Sequence, residues 1–326
     1  PDSYYNAIIN WVKQRYDLIV TKEVINFVPG IVPGIGMAMN CFTQKGDKVM
    51  IQPPVYHPFA WVTPRNERTL VINPLRWENG MYRMDLDAFR EQIKGCKLFI
   101  LCNPHNPGGV VWTEAELRAI ADICYDEKVL VFSDEIHADL TLPPHTHRPF
   151  ATVSEKARMN SVTFMSPSKA FNMPGLSASH ALIFNEDLRK RFRIYMDAGE
   201  LDMGHVFAFL SVEAAYSHGT EWLDQCLAYI QGNIDFVDEF LKKHAPKIKA
   251  IRPEASYLVW LDCRELELSQ KDLNEFFVDK AHLALNDGEM FGKEGIGFMR
   301  LNVASPRCII EKAMKQLADA YQLYIK

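Results

Sequence analysis

Short apolar segments alternate with longer amphipathic segments over the first two thirds of the chain, and this alternation limits the possible fold more than any other feature. Several short segments are apolar throughout, which is typical of strands covered by helices on both faces. The clearest helix is predicted for 113–126, where Thr113 and Glu116 form a capping box. The pattern predicts an α/β fold with a mainly parallel sheet. Strands are predicted at 47–52, 68–73, 97–102, 129–133, 160–166 and 180–184.

The last third of the chain has a different organisation. A long helical region, 206–243, is followed by short strands at 256–261 and 297–302 that are mixed with helices. We therefore expect two domains, which agrees with the chain length of 326 residues. Residues 1–225 would form the large domain, and residues 226–326 would form a smaller C-terminal α+β domain.

Charge and cysteine content exclude several classes of protein. The 36 basic and 41 acidic side chains give a net charge of −5 without long runs of one sign, which argues against a partner that is nucleic acid or an anionic membrane. The seven cysteines are odd in number and lie mostly in apolar segments, so we expect reduced thiols in a cytoplasmic protein. No cysteine spacing or histidine pair indicates a metal site, because His145 and His147 lie in a proline-rich loop without an evident third ligand.

The uncharged segment 24–44 is long enough to raise the question of a membrane span. Prolines and glycines interrupt it, so we predict a strand, a glycine-rich turn and a buried helix. We also expect no secretion signal, since no basic and then apolar leader opens the chain. The chain starts at Pro1 within a segment that already resembles a helix, so an N-terminal piece is expected to be absent.

Polar residues follow the predicted strands at the positions where open α/β sheets bind ligands. They are Tyr56, Asn106, Asp134 and Lys169, and the glycine-rich turn 30–36 lies upstream of them. Taken singly, each has a structural explanation, since asparagine shapes turns, aspartate caps helices and lysine is commonly exposed. Taken together, they form a set at strand ends that a purely structural explanation accounts for poorly.

Asn106 is followed after 28 residues by Asp134 and after 35 more by Lys169. Through these residues the sequence resembles the fold type I pyridoxal 5′-phosphate enzymes, the aspartate aminotransferase superfamily. The resemblance covers almost the whole chain. The resemblance implies a three-layer α/β/α fold in which Lys169, at the end of the segment 166–169, carries pyridoxal phosphate as a Schiff base. It further implies that Asp134 pairs with the pyridinium nitrogen and that Asn106 hydrogen-bonds the ring hydroxyl. Arg300 would bind the substrate α-carboxylate.

These implied roles agree with the chemistry of the residues. A carboxylate beside the ring nitrogen favours its protonated form, which is the better electron sink. A planar guanidinium holds a carboxylate through two hydrogen bonds. The backbone N–H groups of Gly30, Ile31 and Val32, at the start of a helix, suit the cofactor phosphate. The remaining predicted cofactor contacts are Tyr56 on the ring face, His137 and Ser166.

Within the superfamily, the chain is similar to the MalY/PatB-type cystathionine β-lyases, through the segments 54–59, 103–109, 133–137, 168–176 and 284–292. The resemblance implies cleavage of cystathionine or S-substituted cysteines to a thiol, pyruvate and ammonia. It also implies a homodimer in which the partner chain completes each site. Two departures from the aminotransferase pattern agree with it, because Ser177 stands where many aminotransferases have a phosphate-binding arginine and His137 where many have a tyrosine.

Three other functions are compatible with parts of this sequence pattern. A class I/II aminotransferase shares the same site residues. A regulatory protein that binds the cofactor without turnover has the same fold, although it has no need of Lys169, Asp134 and Arg300 together. Acyl transfer through Ser166 in a Ser-x-x-Lys motif has little support, because Pro167 interrupts the helix that this motif requires and no Lys-Thr-Gly follows.

Overall fold

The computed structural model describes residues 1–324, in which thirteen strands and eleven α-helices alternate along the chain. The strands are β1 (Ile25–Val28), β2 (Lys48–Ile51), β3 (Thr69–Ile72), β4 (Arg76–Glu78), β5 (Met81–Arg83), β6 (Cys96–Cys102), β7 (Leu130–Asp134), β8 (Ser161–Met165), β9 (Ser179–Leu182), β10 (Lys249–Ile251), β11 (Leu258–Asp262), β12 (Asn286–Asp287) and β13 (Phe298–Asn302). The helices are α1 (Asp2–Tyr16), α2 (Ile31–Phe42), α3 (Pro58–Arg65), α4 (Leu86–Gln92), α5 (Glu114–Asp126), α6 (Glu155–Met159), α7 (Glu186–Asp197), α8 (Val206–His218), α9 (Thr220–His244), α10 (Gln270–Glu275) and α11 (Arg307–Tyr324).

Seven strands form the central sheet in the order β1-β9-β8-β7-β6-β2-β3. The neighbours β3, β2, β6, β7 and β8 are parallel, and β9 runs antiparallel to both of its neighbours. The mainly parallel sheet predicted from the sequence is therefore confirmed. The predicted strand, turn and buried helix at 24–44 are also confirmed, as β1, Gly30 and α2.

The strand β6 shows why the predicted strands are apolar on both faces. Leu98 and Ile100 pack into one cluster with α2, α3 and α7, whereas Phe99 and Leu101 pack into another cluster with α4 and α5. Successive strand residues point to opposite faces, so a sheet between two helical layers needs an apolar residue at every position. This arrangement is the three-layer α/β/α fold.

The capping box predicted at Thr113 begins α5 as expected. The Thr113 hydroxyl accepts a hydrogen bond from the Glu116 N–H at 3.2 Å, and the Glu116 carboxylate accepts one from the Thr113 N–H at 2.8 Å. The hairpin β4–β5 was not predicted, since each of its strands has only three residues with no period long enough to detect.

A second, four-stranded antiparallel sheet, β10-β11-β13-β12, lies in the C-terminal part together with α10 and α11. This agrees with a smaller C-terminal α+β domain. The predicted boundary between residues 225 and 226 falls within α9, one continuous helix, and stays a prediction. No helix within residues 1–324 combines the length and apolar character needed to cross a membrane.

The topology brings one end of several strands to the same edge of the sheet. Because β1 and β8 both run antiparallel to β9, β1 points in the same direction as the parallel strands. The carboxyl ends of β1, β2, β6, β7 and β8 therefore meet at one edge. Ligands of open α/β sheets bind at this edge.

Candidate active site

A cavity of about 440 Å³ lies at the carboxyl edge of the central sheet and is closed on its other side by the C-terminal sheet. Its size suits a cofactor together with a small substrate. All but one of the residues predicted from the sequence line it, and Ser166 is the exception. The lining residues that were predicted are Gly30, Ile31, Val32, Tyr56, Asn106, Asp134, His137, Lys169 and Arg300.

The start of α2 forms one end of the cavity. Gly30 is the N-cap and has φ +110°, a conformation that residues with a Cβ atom rarely adopt. No side chain caps the helix, so the first N–H groups, those of Ile31 and Val32, face the cavity edge without a side-chain acceptor. Unsatisfied N–H groups and the helix dipole together favour an anion such as a phosphate. Ser168 and Ser177 line the cavity as well.

Asp134 is the last residue of β7 and is only 3 % exposed. Its carboxylate accepts a hydrogen bond from the Ile136 N–H at 3.1 Å. Burial raises the pKa of Asp134 to about 7, with the neighbouring Glu135 acting in the same direction. Ionisation of this buried carboxyl group costs free energy. A cationic partner reduces this cost, because an opposite charge lowers the pKa of the carboxyl group.

Lys169 follows β8 on a turn whose shape depends on Ser166. The Ser166 hydroxyl donates to the Ala178 carbonyl at 2.7 Å and accepts from the Ser168 N–H at 3.1 Å. These bonds tie the lysine turn to the start of β9. The direct cofactor contact predicted for Ser166 stays a prediction, and these hydrogen bonds give its hydroxyl a role in the turn.

Arg300 projects from β13 between two asparagines. Its Nη1 donates to Asn106 Oδ1 at 2.8 Å, and its Nη2 donates to Asn286 Oδ1 at 2.8 Å. The guanidinium also lies over the ring of Phe291, at 4.6 Å from the centroid. Burial lowers the pKa of Arg300 to about 10, which still leaves it charged at neutral pH. A partly desolvated guanidinium with neutral anchors is suited to bind a carboxylate.

Aromatic and imidazole groups complete the lining. Burial raises the pKa of Tyr56, so its phenol stays protonated. Burial lowers the pKa of His137 to about 3, with Lys169 and Arg300 acting in the same direction, so the imidazole is neutral at physiological pH. His137 therefore offers a neutral donor or acceptor and adds no charge to the cavity.

Several lining residues were not predicted from the sequence. His57, Ser168 and Asn286 lie in segments that carry the family resemblance, and that position was the only available signal for them. No local pattern indicated the others, because their position in the cavity depends on how the two sheets meet. The lining residues that were missed include His57, Ser168, Ser179, Tyr257, Asn286 and Asn302.

Comparison with known proteins agrees with this geometry. Residues 2–317 match the family described as aminotransferase class I and II. The chain belongs to this family. It is 38% identical over 317 residues to cystathionine β-lyase PatB of Bacillus subtilis, an alignment that covers 97% of this chain and 82% of PatB. It is 29% identical to protein MalY of Escherichia coli, over 98% of this chain and 82% of MalY.

Solved structures show the same resemblance for this aminotransferase-family chain. Cystalysin of Treponema denticola, which contains pyridoxal 5′-phosphate, superposes with a TM-score of 0.96 at 34% identity, over 99% of this chain and 82% of cystalysin. The pyridoxal-phosphate-bound C–S lyase of Staphylococcus hominis superposes with a TM-score of 0.92 at 32% identity, over 100% of this chain and 85% of the lyase chain. The resemblance to the fold type I enzymes and to their MalY/PatB branch is confirmed.

Proposed function

We propose that this chain is a pyridoxal-phosphate-dependent carbon–sulfur β-lyase that cleaves cystathionine or related S-substituted cysteines to a thiol, pyruvate and ammonia. The proposal is supported by the identity to PatB and by the C–S lyase structures that superpose on the chain. The residues of the cavity support it independently.

The cavity fits the cofactor at three separate points. The buried carboxyl of Asp134, whose pKa is raised to about 7 by burial, matches a pyridinium nitrogen. The uncapped N-terminus of α2, where Gly30 brings the backbone close, matches a phosphate. Lys169 lies on the same lining and would hold the cofactor covalently through Nζ. When bound, pyridoxal phosphate supplies an electron-accepting ring that stabilises negative charge at the substrate Cα.

Each residue then has a defined task in β-elimination. Arg300 binds the α-carboxylate and fixes the orientation of the substrate. Asp134 would favour a proton on the ring nitrogen of the bound cofactor, which strengthens the electron sink. Lys169 Nζ would act as the base that removes the substrate Cα proton. The bond between Cβ and sulfur breaks as the electron pair leaves with the thiolate, and the remaining three-carbon product hydrolyses to pyruvate and ammonia.

The charge of the cavity is the observation that carries the choice of substrate. Among the lining residues within 1–324, Lys169 and Arg300 are the only lysine or arginine side chains. Lys169 is assigned to the cofactor and Arg300 to the α-carboxylate, so no lining cation is left for a side-chain carboxylate such as that of aspartate or glutamate. A thioether side chain without net charge fits this lining better, and cystathionine meets this condition because the far end of its side chain carries an ammonium and a carboxylate together.

The proposal is tested by incubating the holoenzyme with cystathionine and following thiol release with a chromogenic reagent. We expect thiol release without any added keto acid, and its loss in Lys169→Ala. Absence of thiol release from cystathionine and from simple S-alkyl cysteines would contradict the lyase assignment. The aminotransferase alternative predicts turnover only with a keto acid present.

We further propose that the active species is a homodimer. An exposed apolar patch around the start of α8 supports this: Met203 is 76% and Phe207 is 67% exposed, and Val206 and Leu210 are exposed beside them. A contiguous apolar patch on a protein surface marks an interaction site. Light scattering of the holoenzyme should give the mass of two chains, and Phe207→Asp should shift it towards one. A fully active wild-type monomer would contradict the proposal.

We also propose a cytoplasmic location. The seven cysteines are free, and most of them are buried within apolar surroundings. Reduced thiols of this kind are typical of proteins in a reducing compartment.

A further inference from the structure

Arg300 and Asn286 lie directly opposite each other on the C-terminal sheet. The strand β12 pairs antiparallel with β13, and Asn286 is the register partner of Arg300. Their side chains meet as well, since Arg300 Nη2 donates to Asn286 Oδ1 at 2.8 Å. A cross-strand pair of this kind restricts the directions available to a long side chain. Asn286 lines the cavity and is exposed there.

The guanidinium is thereby held from two sides by neutral oxygens. Asn106, from the loop after β6, accepts from Nη1, and Asn286 accepts from Nη2. Each Nη atom carries two N–H donors, so these two bonds leave one N–H on Nη1 and one on Nη2 for a ligand. The Nε atom is buried and has no protein partner within residues 1–324. No carboxylate of the described chain forms an ion pair with Arg300.

The carboxylate nearest in sequence to this pair, that of Asp287, is hydrogen-bonded to other side chains. Asp287 follows Asn286 on β12, and its oxygens accept from Gln270 Nε2 at 2.6 Å and from Asn274 Nδ2 at 2.5 Å. Successive residues of a strand point to opposite sides, so Asp287 is directed towards α10 while Asn286 is directed towards Arg300. The strand register thus places an amide beside Arg300 and keeps an acid away from it.

We propose that Asn286 is a positioning residue that orients Arg300 for the substrate α-carboxylate while leaving its charge uncompensated. The inference rests on the role of Arg300 in the proposed function. A carboxylate at position 286 would form an ion pair with Arg300 and compete with the substrate. An apolar residue there would release one end of the guanidinium, so that the substrate has to order it on binding.

The test compares two ligands of the holoenzyme that differ in the carboxylate. L-alanine and ethylamine share an amino group, and their binding is followed by the change in cofactor absorbance. Asn286→Ala should weaken alanine binding by about three- to tenfold, because a hydrogen bond to a charged group is lost. Asn286→Asp should weaken it by about tenfold or more. Both variants should leave ethylamine binding unchanged, and KM for a cysteine conjugate should rise more than kcat falls.

Asn274→Ala is the matched control, since it loosens β12 through Asp287 without removing a contact to Arg300. Alanine binding should be unchanged in this variant. Equal weakening of both ligands in the Asn286 variants, or wild-type alanine affinity in Asn286→Asp, would overturn the inference. Arg300→Ala distinguishes failure of the role proposed for Arg300 from failure of the role proposed for Asn286. If Arg300→Ala still binds alanine in preference to ethylamine, Arg300 does not bind the α-carboxylate. If Arg300→Ala loses that preference but the Asn286 variants keep it, only the role of Asn286 is wrong.

Discussion

Arg300 lies on the C-terminal sheet and Asn106 lies in a loop that follows a strand of the central sheet, yet Arg300 Nη1 donates to Asn106 Oδ1 at 2.8 Å. Asn106 follows β6 of the central sheet, and Arg300 lies on β13 of the C-terminal sheet. The hydrogen bond links the residue assigned to the cofactor ring with the residue assigned to the substrate carboxylate. The proposed cofactor site and the proposed substrate site are therefore joined by one direct contact.

Removal of the guanidinium should affect turnover far more than stability. We expect Arg300→Ala to cost about 2–5 kcal/mol of transition-state stabilisation, since one partner of a desolvated charge pair is lost. Steady-state kinetics with an S-alkyl cysteine measure this loss as kcat/KM. Arg252→Ala is a suitable control, because Arg252 pairs with Asp235 away from the cavity. The assignment is wrong if the two variants lose the same kcat/KM.

The lysine assignment predicts the site of covalent attachment. Borohydride reduction of the holoenzyme followed by peptide mass spectrometry should place the cofactor on Lys169. Lys169→Ala should carry no label, and its turnover should fall by about 10²- to 10⁴-fold or more, since tether and base are lost together. Lys190→Ala changes an exposed lysine of α7 and should keep both the cofactor label and the turnover. Label on any other lysine of the wild type would refute the assignment.

Asp134 makes a prediction about the pH dependence of apoprotein stability. Its folded pKa of about 7 lies above the ordinary value of 3.8, so the folded state binds this proton more tightly than the unfolded state. The apoprotein should therefore lose stability as the pH rises from about 4 to about 7. Asparagine cannot ionise, so Asp134→Asn should raise the melting temperature of the apoprotein more at about pH 8 than at about pH 5.

The same substitution should have the opposite effect on the cofactor. Loss of the carboxylate removes the partner of the ring nitrogen, so Asp134→Asn should weaken pyridoxal phosphate binding at pH values where the wild type holds it. Melting curves with and without the cofactor measure both effects. If Asp134→Asn is no more stable than the wild-type apoprotein at alkaline pH, burial does not raise the pKa of Asp134.

Gly30 tests the phosphate site. Gly30→Ala places a side chain at φ +110° and should distort the start of α2. Gly46→Ala is the matched control, because Gly46 has φ +86° with open space around it, remote from the cavity lining. Both variants should lose about 1 kcal/mol or more of stability. Only Gly30→Ala should lose affinity for pyridoxal phosphate relative to pyridoxal, and equal losses for the two ligands would place the phosphate elsewhere.

The sequence predicted the part of the site that depends on local pattern. Asp134 and Asn106 could be located because apolar runs mark β6 and β7, and because strand ends in a parallel sheet share one edge. Lys169 was located by its spacing from them and by the family resemblance. These residues owe their positions to strands that local sequence specifies.

The parts that were missed depend on tertiary structure. Asn286 lies on β12, a strand of two residues with no period to detect, and its contact to Arg300 exists only through the pairing with β13. The cofactor contact implied for Ser166 stays a prediction, and the Ser166 hydroxyl also donates to the Ala178 carbonyl across the turn. A motif identifies which residues belong together, whereas the direction of each hydroxyl depends on the backbone around it.

The fate of the substrate nitrogen distinguishes a β-lyase from an aminotransferase. Cystathionine labelled with ¹⁵N at the cysteine-derived amino group is incubated with the holoenzyme, with and without an added keto acid, and the products are quantified. A β-lyase should give ¹⁵N-labelled ammonia, unlabelled pyruvate and homocysteine in equal amounts, with or without the keto acid. Label recovered on the keto acid, and no pyruvate or ammonia in its absence, would contradict the lyase function and establish an aminotransferase.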